Sequence, residues 1–112
     1  MTRDARVEVL ERSDTTVVAR VVVAADDPVF TGHFPGLPIL PGVSVVELAH
    51  RVAARGTARL AAIESARFLR PAFPGAELTV RLTLEGGRCA AVVSDADGVV
   101  ARVQLRYEDA PC

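Results

Sequence analysis

Residues 27 to 47 read DPVFTGHFPGLPILPGVSVVE, and they place one imidazole, His33, fourteen positions before one carboxyl, Glu47. These are residue types that carry protons near neutral pH. Four prolines and three glycines follow Asp27 in the same stretch. Proline and glycine set a backbone path that ordinary residues would leave mobile, so the stretch has the means to aim a side chain. Each residue also has a plainer use. Ser44-Val45-Val46-Glu47 fits a capping box, in which Ser44 caps a helix and Glu47 reaches back to its amide. Glu47 stands four residues before Arg51, the spacing of a helix ion pair. His33 alone fits a structural loop histidine.

The elements that must hold these groups follow from the flanking pattern. Residues 6 to 12 and 15 to 24 suit two strands, with "TTVVARVVVAA" rich in β-branched side chains and "RSD" turning the chain back. After the Pro/Gly loop, residues 43 to 54, "VSVVELAHRVAA", suit a helix buried on most sides, with polar positions at 44, 47, 50 and 51 and Gly56 at its end. Four more segments, "ARLAAIESARFLRP", "AELTVRLTLEG", "RCAAVVSDA" and "VVARVQLRYED", are separated by Pro71 to Gly75, Gly86-Gly87 and Asp97-Gly98. The last two breaks suit hairpin turns. The expected fold is α+β, about six strands with one central helix against a sheet face, in a single domain over residues 1–112.

Composition narrows the function. With 112 residues and 50% hydrophobic content the chain suits one folded domain, small enough that a self-complementary dimer is plausible. A net charge of −1 argues against a dedicated nucleic-acid binder. All 13 basic residues are arginine, as GC-rich coding would produce, so no single arginine signals function. Cys89 and Cys112 lack metal or redox spacing, and no secretory leader or membrane span is visible, so no metal, no cofactor and a cytoplasmic location are expected.

The segment "GHFPGLPILPGVSVVE" resembles the signature of the 3-hydroxyacyl-[acyl-carrier-protein] dehydratases of type II fatty-acid synthesis, which have the hot-dog fold. The matching residues are Gly32-His33-Phe34-Pro35-Gly36, Pro38, Pro41-Gly42-Val43 and Glu47. "ESARFLRPAFPG" resembles a second family element through Ala66-Arg67-Phe68, Arg70-Pro71 and Pro74-Gly75. The resemblance implies a sheet wrapped around the helix. It implies that His33 takes the α-proton of a 3-hydroxyacyl thioester and that Glu47 holds or protonates the departing hydroxyl. Backbone N–H groups of Gly42 and Val43 would meet the thioester oxygen, where a helix start offers unpaired amides. Phe34, Leu40, Val43, Val46 and Phe68 would line an apolar acyl tunnel. The implied partners are an acyl-carrier protein and a second subunit, as a homodimer or an assembly of dimers, with histidine from one subunit and acid from the other.

Three departures from the family pattern bear on substrate range and rate. "RVAARGTARLAAI", between helix and next strand, is shorter than in typical members. Ala76 stands where aspartate is common. Arg51 replaces a usual glutamine, one turn past the acid. Arg51 either pairs with Glu47, which would weaken it as a proton donor, or extends outward toward the acidic or phosphate groups of a carrier; the outward course is the expected one, since arginine snorkels toward water. The pathway would be fatty-acid synthesis or a specialised polyketide or lipid route. The alternatives are a hot-dog acyl thioesterase and a non-catalytic subunit that binds carrier protein or completes a partner; the loop histidine favours the dehydratase.

Overall fold

The computed structural model describes residues 6–23, 42–53, 58–73 and 75–109. Among these residues six strands and one helix follow in chain order: β1 (Arg6–Arg12), β2 (Thr16–Val22), α1 (Gly42–Ala53), β3 (Ala58–Phe68), β4 (Glu77–Glu85), β5 (Arg88–Asp95) and β6 (Gly98–Asp109). The strands form one antiparallel sheet in the order β1-β2-β4-β5-β6-β3. The α+β expectation holds, and the arrangement is the hot-dog one.

Strict alternation builds the core. In β4, Leu78, Val80, Leu82 and Leu84 point inward while Glu77, Thr79, Arg81, Thr83 and Glu85 face out. Successive strand side chains point to opposite faces, so this pattern makes one wet face and one dry face. Val17, Ala19 and Val21 of β2, Ala91 and Val93 of β5, and Val103 and Leu105 of β6 complete the dry face. Against it, α1 buries Val45, Val46, Leu48, Ala49, Val52 and Ala53. No helix among the described residues is long and apolar enough to cross a membrane.

The hairpin turns stand where glycine suggested. Gly86 has a φ of 59°, a left-handed value that glycine adopts without strain. At Gly87 a Cβ would sit 2.6 Å from the Tyr107 carbonyl oxygen, so only glycine admits that approach. The β1–β2 turn is held by Ser13, whose hydroxyl accepts from the Thr16 amide at 3.1 Å.

Two expectations need correction. The helix begins at Gly42, so Ser44 lies inside its first turn and is buried, which excludes Ser44 as the cap of a capping box. "RVAARGTARLAAI" is mostly not a connection, because Arg51–Ala53 close α1 and β3 begins at Ala58. Gly56 and most of the Pro/Gly loop lie outside the described residues.

Candidate active site

The start of α1 is where the two sequence motifs meet. An added Cβ at Gly42 would stand 2.9 Å from Phe68 Cζ and 3.0 Å from Cε2, so the ring at the end of β3 rests on the first residue of the helix. The first-turn amides of an α-helix have no intrahelical acceptor, and the dipole adds partial positive charge there. The N–H groups of Gly42 and Val43 therefore lie in that first turn, beside an aromatic ring that is half-exposed.

Phe68 is held by the chain that follows it. The amides of Leu69 and Arg70 both donate to the Val100 carbonyl, at 2.8 and 3.3 Å. The Arg70 guanidinium donates to the Asp95 carboxylate and, at 3.2 Å, to the Gly98 carbonyl. Burial pushes the Asp95 carboxyl up, but bonds from the Asp97 amide and Arg70, Arg70's charge and the Gly98 amide outweigh it and hold it below the ordinary carboxylate range. Arg70 thus locks the exit of β3 to the β5–β6 turn.

One turn further along α1 stands Glu47, with its side chain 25% exposed. Arg51 Nη2 donates to Glu47 Oε1 at 3.1 Å. This corrects the expectation that Arg51 turns outward: the carboxylate one turn back is within reach of the guanidinium and holds it. Val43 and His50 share the helix face with Glu47 and Arg51, and Val43 is 70% exposed.

His50 and Tyr107 were missed as a pair. Nδ1 of His50 lies 2.7 Å from the Tyr107 hydroxyl, and the rings stack with centroids 5.6 Å apart. The i,i+3 spacing from Glu47 marks His50 in the sequence; nothing local marks Tyr107. Among the tunnel candidates, Val46 packs into the core cluster and Phe68 sits at the helix start. His33, Phe34 and Leu40 lie outside the described residues.

The chain matches the ApeI-like family, described as ApeI dehydratase, over residues 9–102. It is 34% identical over 112 residues to a 3-hydroxyacyl-[acyl-carrier-protein] dehydratase FabZ of Polynucleobacter necessarius subsp. necessarius, covering 88% of this chain and 74% of that one. A FabZ of Solibacter usitatus is 33% identical over 119 residues, covering 90% and 74% of the two chains. Among solved structures, the dehydratase heterocomplex ApeI:P of Xenorhabdus doucetiae superposes with a TM-score of 0.78 at 18% identity, covering 91% of this chain and 97% of that one. That last likeness is one of fold.

Proposed function

This chain belongs to the ApeI-like dehydratase family, and from that membership we propose that it removes water from 3-hydroxyacyl thioesters on an acyl-carrier protein, giving trans-2-enoyl thioesters. The supporting observation is the pairing of a helix start at Gly42, against which the Phe68 ring rests, with a carboxyl one turn further on. A thioester oxygen set against the Gly42 and Val43 amides would place the acyl chain along Phe68 and its C3 hydroxyl toward Glu47.

In the proposed reaction His33 takes the proton from Cα, and the electron pair of that C–H bond forms the new double bond. The C3–O bond breaks, and Glu47 supplies the proton that converts the leaving hydroxide to water. Negative charge on the thioester oxygen is met by the helix-start amides. Proton exchange with solvent then returns His33 to neutral and Glu47 to its acid form.

A second subunit fits the same reading. Among the described residues strand β3 pairs with β6 on one side only, and Ile63, Phe68, Leu69 and Phe73 near it are about half-exposed. A sheet edge of this kind accepts another strand. The partner would be a second copy or, as in the ApeI:P heterocomplex, a different chain.

The test is turnover of 3-hydroxyacyl carrier-protein substrates of several lengths, followed by mass spectrometry for loss of one water. His33→Ala and Glu47→Gln should each lose at least about 100-fold in kcat while keeping the fold. Near-full activity in either variant removes that residue from the mechanism, and release of free carrier thiol would point to a thioesterase.

A further inference from the structure

We propose that the outer face of the sheet carries an anion site, formed by Arg67, Arg102, Ser65 and Gln104, for a small molecule bearing a phosphate monoester or pyrophosphate. The sheet registers align one transverse row: Arg81 of β4 stands opposite Val92 of β5, Val92 opposite Arg102 of β6, and Arg102 opposite Arg67 of β3. Neighbouring strands are about 4.8 Å apart, so Arg67 and Arg102 are adjacent and Arg81 lies about 10 Å beyond. All three are exposed.

None of the three makes an ion pair among the described residues, whereas Arg20, Arg51, Arg59, Arg70, Arg88 and Arg106 all do. The neighbouring outward positions are Ser65, Gln104, Ala90 and Ser94, without a carboxylate. Glu64, at the margin, is taken by Arg88 and Arg106 at 3.6 and 3.8 Å. Glu11 lies at the far end of the row on β1, beyond Val18. Like charges directly opposite on a sheet destabilise it, so the unliganded row carries a cost that a bound anion would remove.

The surface there is concave. Ser65, Arg67, Ala90, Val92, Arg102 and Gln104 line an open cavity of about 430 Å³, a size that suits a small ligand better than the flat contact of a protein. Two guanidinium forks match the several oxygens of a phosphate, with the Ser65 hydroxyl and Gln104 amide as further donors. Arg81 is placed to meet a second phosphate across the apolar Val92. The site lies on the face of the sheet away from α1, so it shares no residue with the catalytic proposal and does not depend on it.

The test is titration of the full chain with pyrophosphate, inorganic phosphate and adenosine 3′,5′-bisphosphate at fixed ionic strength, by calorimetry and thermal shift. Saturable binding should weaken by at least about tenfold in Arg67→Gln/Arg102→Gln and stay unchanged in the exposed control Arg59→Gln. Without ligand, the double variant should melt no lower than the parent, because it removes facing like charges. Stronger binding of pyrophosphate than of phosphate would bear out the role given to Arg81. The proposal fails if no anion binds saturably or if the double variant binds equally well. It also fails if Arg59→Gln loses as much, or if only an acidic carrier protein, and no phosphate, is weakened by the substitutions.

Discussion

Arg51 shows how one side chain can redirect a site. Its pair with Glu47 is partly exposed, at 39% and 25% for the two side chains, so it contributes only a few tenths of a kcal/mol to folding. Its larger effect falls on the carboxylate oxygen, which it occupies. Arg51→Gln should move Tm by less than about 2 °C, leave apparent carrier affinity unchanged and raise kcat a few-fold by freeing Glu47 for the substrate hydroxyl. Weaker carrier binding at constant kcat would restore the outward role for Arg51. The spacing of Glu47 and Arg51 was legible in the sequence, because helix neighbours are sequence neighbours. The choice between pairing and extension was not, since it depends on rotamers. His50 escaped notice for another reason: its partner Tyr107 is 57 residues away.

Elements were read more fully than contacts between them. The helix was placed to within one residue at each end, and the hairpins at Gly86-Gly87 and Asp97-Gly98 were found from turn chemistry. What local pattern could not show is that the end of β3 lies on the start of α1. The missing Cβ of Gly42 makes room for Phe68. Gly42→Ala should push the half-exposed ring aside, with little loss of stability and a fall of about tenfold or more in kcat/KM, since small displacements of a binding surface are costly. Unchanged kcat/KM would separate Phe68 from the acyl chain.

Asp95 acts at the same scale, as the anchor of Arg70. Its carboxyl is held low in the folded chain, so its stabilisation is complete above the ordinary carboxylate range and is lost as pH falls through the lower folded value. Asp95→Asn should therefore lower Tm at neutral pH by several degrees, the size expected for about 1 kcal/mol in so small a domain. The gap to the parent should close in strong acid. A gap independent of pH would assign the loss to packing instead of charge.

At the scale of the molecule, the exposed side of β3 bears on how a complete site is assembled. With sites shared across a dimer, mixing His33→Ala and Glu47→Gln subunits in equal amounts should recover up to about a quarter of parental activity, because a mixed dimer regains one intact site. No recovery despite proven subunit exchange would place both groups on one chain. The fold class was legible from alternation and turns, and the hot-dog identity from the two motifs. The strand order was not, because β2 beside β4 and β6 beside β3 are pairings that no local pattern encodes.

That strand order also dictates a sequence of events in time. The β1–β2 hairpin and the β4-β5-β6 meander each close through short turns, so both can form early from local contacts. The seam between β2 and β4 joins Thr16–Val22 to residues beyond Glu77, after the whole helical segment has been made. During synthesis, β2 therefore waits with its inner edge unsatisfied, although α1 is made in time to pack on Val17, Ala19 and Val21. The edge of β2 that later joins the two halves of the sheet is, for that interval, open to misassembly.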